Sequence, residues 1–102
     1  MTLLHYAAYC GDMDGMMACL DKGMDPNQRD EYRGYTALHW LLDMLGAGGP
    51  RLDMMNELIS RGADIHSVAD DGYSSTPISL AREGGTVSAD IIVDELLKMG
   101  AK

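Results

Sequence analysis

The chain has 102 residues, with 8 basic against 16 acidic side chains and a formal net charge of −8. That length allows one domain and one modest core, burying about 65% of the unfolded surface, and 46% hydrophobic with 24% charged residues excludes wholesale disorder. The acid excess is spread over both halves, so no basic stripe is available for phosphates or an anionic membrane, and a basic protein surface is attracted instead.

The first element opens on Thr2-Leu3-Leu4-His5-Tyr6-Ala7. Thr2 suits a helix N-cap, and Leu4, Ala7 and Ala8 share one helical face. No basic residue precedes this apolar stretch and His5 sits inside it, which is not the pattern of a signal peptide. Gly11-Asp12 breaks the chain. Met13, Met16, Met17 and Leu20 then fall at i, i+3, i+4 and i+7 and predict a second helix, ended by Gly23 at a left-handed position. Asp30–Tyr35, with Gly34, reads as a tight turn. A third helix follows Thr36 with Leu38, Leu41 and Leu42 on its apolar face. Extra residues around Gly46-Ala47-Gly48-Gly49-Pro50 read as a connector, and Leu52, Met55 and Ile59 predict a fourth helix ended by Gly62. A second turn, Asp70–Ser75, precedes a fifth helix with Pro77 at its first position, where a missing N–H costs nothing. A second excess lies at Gly84-Gly85-Thr86-Val87-Ser88. Ile92, Val93, Leu96 and Leu97 predict the sixth helix, ended by Gly100.

These elements repeat. Thr2-Leu3-Leu4-His5-Tyr6-Ala7 returns as Thr36-Ala37-Leu38-His39-Trp40-Leu41 and, more loosely, as Thr76-Pro77-Ile78-Ser79-Leu80-Ala81, at intervals of 34 and 40 residues. Leu20-Asp21-Lys22-Gly23-Met24-Asp25 returns as Ile59-Ser60-Arg61-Gly62-Ala63-Asp64 and Leu97-Lys98-Met99-Gly100-Ala101, the glycines being 39 and 38 residues apart. Two landmarks recurring in one order resemble the ankyrin repeat, a unit of about 33 residues built as a β-turn plus two helices. A tetratricopeptide-like array would lack the turn segment and the Thr-x-Leu-His opening, and an unrelated bundle has no reason to repeat both landmarks. The resemblance covers essentially the whole chain. It implies an all-α solenoid of three helix-turn-helix units with short β-turn or hairpin tips. The chain would then be a single domain, 1–102, with repeats at about 2–29, 30–69 and 70–102. The turns before Thr36 and Thr76 exceed the family pattern by about one and two residues, which surface loops absorb cheaply.

Little in the chain reads as catalytic or cofactor chemistry. Cys10 and Cys19 are too few for a disulfide scaffold and read as reduced thiols of a cytosolic compartment. Those two cysteines with His5, His39 and His66 lack paired zinc-ligand spacing. His39 and Asp43 stand at i,i+4 without a nucleophile, and Asp43 is expected in water. Gly46–Gly49 lacks the Lys-Ser/Thr of a phosphate loop, Asp70-Asp71-Gly72 lacks the later chelating residue of a calcium loop, and the methionines at helical spacing read as core. The resemblance adds that His5 and His39 hold loop backbone within and between repeats, and that no cofactor, metal or catalytic residue is implied.

Recognition of a protein partner is what the resemblance implies, through the turn tips and the exposed face of the first helices. The family's variable contact positions fall on Tyr9 and Cys10, then on Arg29, Glu31, Tyr32, Tyr35, Asp43 and Met44, and then on Val68, Asp70, Asp71 and Tyr73. Arg33 and Ser75 join them within one position of register. Aromatic residues beside arginine are the types enriched in binding hot spots. Tyr6, Trp40 and Leu80 occupy the slot expected to be semi-buried between repeats. Two further expectations follow: the alternative reading is a structural or regulatory segment of a larger enzyme, channel or effector, and apolar residues on the outermost helices favour self-association through the ends.

Overall fold

The computed structural model describes residues 2–43, 51–83 and 87–101. Among them six helices run in three pairs: α1 (Leu3–Cys10) with α2 (Met13–Asp21), α3 (Ala37–Asp43) with α4 (Arg51–Ser60), and α5 (Pro77–Glu83) with α6 (Val87–Lys98). The first helices form a row, α1 against α3 and α3 against α5, and each packs on the second helix of its own pair. This is the all-α helix-turn-helix solenoid the repeats predict, and no strand occurs among the described residues. The connector Gly46–Pro50 and Met44 lie outside the described residues, as do Gly84, Gly85 and Thr86. Val87 and Ser88, expected in that connector, already belong to α6.

The same local chemistry opens each pair. The N–H groups of His5, His39 and Ser79 donate to the Oγ1 of Thr2, Thr36 and Thr76 at 3.3, 3.4 and 3.3 Å. Each threonine thereby satisfies a donor that the helix start would leave unpaired. The same motif also closes each pair. Gly23, Gly62 and Gly100 stand at φ +90°, +100° and +95°. The following residue's N–H reaches back to the carbonyl five positions earlier: Met24 to Cys19 at 3.2 Å, Ala63 to Leu58 at 2.9 Å, Ala101 to Leu96 at 2.9 Å. That back-bond, with a left-handed glycine and an apolar residue after it, stops a helix and returns the chain.

Between the helix layers lies one core. Leu4, Ala8, Leu38, Leu41, Leu42, Ile78 and Ala81 from the first helices meet Met16, Leu20, Met54, Met55, Leu58, Ile92 and Leu96 from the second. Full burial of a side chain such as Leu or Met is worth about 1.5–3 kcal/mol, so this interleaved stripe carries the fold. Met13, Met17, Leu52, Ile59 and Val93 are only partly buried, and the centre of the α4 stripe is Met54, Met55 and Leu58. At the outer helices Leu3, Ile91 and Leu97 stay exposed.

Candidate functional site

The turns that face the first helices are organised by carboxylates. Asp30 Oδ1 accepts from the N–H groups of Tyr32, Arg33 and Tyr35 at 3.2, 2.9 and 3.2 Å, and its Oδ2 accepts from the Trp40 indole N–H. Burial alone raises the Asp30 pKa, but these N–H donors outweigh it and hold the carboxyl below its ordinary value. Asp71 does the same for the next turn. It accepts from the N–H of Tyr73 at 2.9 Å and the hydroxyl of Ser75 at 2.5 Å, and these bonds, Ser75 first, lower its pKa to about 2. Asp30 N–H donates to the Tyr35 carbonyl at 2.9 Å and Ala69 N–H to the Ser75 carbonyl at 2.8 Å, so the second loop closes over one residue more. That matches the unequal turn lengths expected from the sequence.

Histidines join these turns to the helix row. Thr36 N–H donates to His39 Nδ1 at 3.1 Å, so the ring proton sits on Nε2 and donates to the carbonyls of Ser67 and Ser75 at 3.0 and 3.1 Å. His5 repeats the arrangement, with Nδ1 accepting from Thr2 N–H at 3.0 Å and Nε2 donating to the Gln28 carbonyl at 2.7 Å. Ser79 occupies the equivalent place in the third pair, and its hydroxyl bonds stay with Thr76. The histidine linkers therefore behave structurally, as the resemblance implies. Burial, partly offset by the serine carbonyls, lowers the His39 pKa and keeps the ring neutral.

Two turns and two helices enclose a cleft of about 610 Å³ between the second and third pairs. It is lined by Tyr32, Tyr35 and Tyr73, by the acidic residues Asp43, Asp70, Asp71 and Glu83, and by Arg33, Ser75 and Leu80. Glycine lets the two turns approach this closely. A Cβ on Gly34, at φ +67°, would stand 2.9 Å from the Asp70 backbone nitrogen. Arg33 lies across the mouth, its guanidinium carbon 5.5 Å from the Tyr32 ring centroid and its Nη1 3.7 Å from Asp43 Oδ2. Among the described residues no group of three or more His, Cys, Asp or Glu side chains is placed to hold a metal ion.

The structure brings Tyr32, Arg33, Tyr35, Asp43, Asp70 and Tyr73 to this one cleft and disperses the other residues singled out in the sequence. Arg29 is committed elsewhere: its Nη1 donates to the carbonyls of Gly34 and Val68 at 2.8 and 2.5 Å, tying the second pair's turn to the third's. Glu31 and Val68 are exposed outside the cleft, and Tyr9 is half-buried with its ring edge-on to Trp40 at 5.4 Å. Three expectations need correction. Tyr35, taken as a surface anchor, is only 2% exposed, because its ring stacks on His39 at 5.2 Å and 19° and meets Trp40 at 5.0 Å. Only its hydroxyl side faces the cleft, donating to Asp71 Oδ2 at 3.4 Å. Asp43 is half-buried under Arg33 where water was expected, and burial, then Glu83 and Asp71 nearby, raises its pKa against the pull of Arg33. Tyr6, taken as semi-buried, is 61% exposed. It lies on α1, which has a neighbour in the row on one side only.

Sequence reasoning missed the polar ties between pairs. Asn27 donates through Nδ2 to the Gly62 carbonyl at 2.8 Å and accepts from Asp64 N–H at 2.7 Å. Arg61 joins Asp21 and Glu57, both at 3.0 Å. The one available signal was the recurrence of Gly-x-Asp after α2 and α4, since Asp25 and Asp64 each accept from the N–H two residues on. Among the described residues no helix is long and apolar enough to cross a membrane. Comparison with curated proteins gave no match. The profile described as ankyrin repeat matches residues 1–31 and 33–70, which span the first two helix pairs. The third pair repeats their threonine cap and glycine stop. With more than half its length matched by that profile, the chain belongs to the ankyrin repeat family.

Proposed function

We propose that the chain is a non-catalytic recognition module that holds a basic protein segment in the cleft between its second and third helix pairs, which are repeats 30–69 and 70–102 of a three-repeat domain. Ankyrin repeats are generally protein–protein interaction modules. The observation that carries the finer reading is the lining itself: four carboxylates against one guanidinium, with two largely exposed tyrosines, Tyr32 at 76% and Tyr73 at 88% exposure. Exposed aromatic rings at a concave acidic surface are suited to desolvated contacts with a cationic partner. Two free thiols, Cys10 exposed and Cys19 buried, accord with a reducing, cytosolic setting.

Selection of displayed random peptides against the chain tests this. Enriched peptides should carry net positive charge and lose binding to the Tyr32→Ala/Tyr73→Ala double variant. Enrichment of neutral or acidic peptides, or equal binding to the double variant, would reject the reading. A second element of the proposal is self-association through the outer helices, favoured by exposed Leu3 on α1 and by Ile91 and Leu97 on α6.

A further inference from the structure

We infer that the cleft is built for the guanidinium group of an arginine supplied by the partner, and that Arg33 is the chain's own stand-in for it. The inference rests on the recognition reading above and specifies its ligand. Its starting point is that a guanidinium already occupies the mouth. The Arg33 guanidinium carbon lies 5.5, 5.7 and 5.8 Å from the ring centroids of Tyr32, Tyr35 and Trp40. These are cation–π distances close to the outer limit of about 6 Å. Its ion pair with Asp43 is long, at 3.7 Å, and the side chain is 44% exposed. Arg33 is thus held by ring contacts near the outer cation–π limit and by a long ion pair, with its side chain partly in solvent. An arginine arriving from outside meets the same rings and the same carboxylate.

Charge points the same way. One cation faces Asp43, Asp70, Asp71 and Glu83. Asp71 spends its oxygens on the turn, bonding Tyr73 N–H and Ser75. Asp43, Asp70 and Glu83 remain to receive a ligand. A hydrated metal ion is disfavoured, since no suitable group of ligands exists among the described residues and the walls are aromatic. Between the two cationic side chains, guanidinium is planar and weakly hydrated, and it stacks on rings while pairing carboxylates. Lysine offers a compact, strongly hydrated charge and gains less from Tyr32 and Tyr73. Arg33 is open to displacement because its own side chain is 44% exposed and its ion pair is long, and the incoming group can add Tyr73, which Arg33 does not contact within cation–π range.

The single tryptophan supplies the readout. Trp40 lies beneath Arg33, so exchange of one guanidinium for another alters its emission. Titration of the whole chain with oligo-arginine and with oligo-lysine of equal length should show several-fold tighter binding of the arginine peptide. Arg33→Gln, which vacates the mouth, should tighten oligo-arginine binding about five- to tenfold. Tyr73→Ala and Asp43→Asn should each weaken it by a similar factor, with thermal melting confirming that the variants are folded. Arg33→Lys should fall between wild type and Arg33→Gln. Weaker binding by Arg33→Gln, or equal binding of the two peptides, overturns the arginine assignment and leaves recognition of basic segments standing. Oligo-arginine binding that neither Tyr73→Ala nor Asp43→Asn changes overturns the cleft as its site, and with it this inference.

Discussion

Tyr35 and Trp40 show how one residue's neighbours decide between binding and stability. Both are aromatic, both lie beside Arg33, and sequence alone assigned Tyr35 to the surface and Trp40 to the interior. The interior claims both, since Tyr35 stacks on His39 and Trp40 donates its indole N–H to Asp30. The Tyr35 N–H and carbonyl are both bonded to Asp30, which closes the turn, and the ring lies inward against His39 and Trp40, a packing that residue type does not encode. Trp40→Ala is therefore expected to cost about 3–5 kcal/mol and Tyr35→Ala about 3 kcal/mol, whereas Tyr73→Ala should stay within about 0.5 kcal/mol. Urea denaturation of the three variants checks this, and an unaffected Tyr35→Ala would mean the ring is not part of the core. His39 adds a pH dependence. Its folded pKa lies below the ordinary histidine value, so between the two values the unfolded chain binds more protons and stability rises with pH. The contribution is complete above about pH 6.5 and is lost as pH falls through the lowered pKa. The urea midpoint should decline as pH falls from about 7 through the ordinary histidine range and below it. Asp71, held at about 2, adds a further loss below about pH 4. A midpoint flat from neutral pH down to that range would contradict the neutral, doubly bonded His39.

Helices were legible because their boundaries are local chemistry. Threonine caps, the i, i+3, i+4 stripes and left-handed glycines each act within one or two turns, so α1, α2, α3 and α5 start or stop where the residues said they should. Ties between elements were not legible, because their acceptors are mostly backbone carbonyls. Arg29 reaches Gly34 and Val68 oxygens, Asn27 a Gly62 oxygen, and His39 the Ser67 and Ser75 oxygens. A carbonyl carries no residue signature. The cleft falls between these cases: its residue types were marked in the sequence, but their meeting depends on how closely two turns approach. Gly34 and Gly72 separate the local from the long-range demand. Both have positive φ, at +67° and +84°, so either alanine pays about 1–2 kcal/mol in backbone strain. Only at Gly34 does a Cβ also meet the Asp70 backbone, Gly72 having nothing within 4 Å. Gly34→Ala should consequently destabilise well beyond Gly72→Ala and should weaken peptide binding at the cleft. Thermal melting of the two variants, at about 4–8 °C per kcal/mol, resolves the difference. Equal losses would show that the turns do not press on each other.

At the scale of the whole molecule, the two proposed associations draw on the same acidic body, and salt would separate them. The chain measures 32 × 28 × 24 Å and carries a net charge of −8. At about 0.01 M salt the Debye length is about 30 Å, comparable to the molecule itself, so one copy feels nearly the full charge of another. At about 0.1 M it is about 10 Å, and only charges near the contact matter. Self-association through exposed Leu3, Ile91 and Leu97 gains from apolar burial and is opposed by like-charge repulsion, so added salt strengthens it. Docking of a basic segment in the cleft is steered by attraction, so added salt slows its association and weakens it. The two salt dependences therefore have opposite signs. Light scattering at rising concentration should show mass increasing more steeply at high salt than at low. Stopped-flow mixing with oligo-arginine, followed by Trp40 emission, should show the association rate falling over the same range. Leu97→Glu should suppress the first without altering the second, since Leu97 lies on α6 and lines no part of the cleft. A strictly monomeric chain at high salt and high concentration would remove the outer helices as an association surface. A peptide association rate insensitive to salt would remove electrostatic steering by the acidic cleft, since four carboxylates within one concave surface cannot attract a cation at low ionic strength and fail to be screened at high.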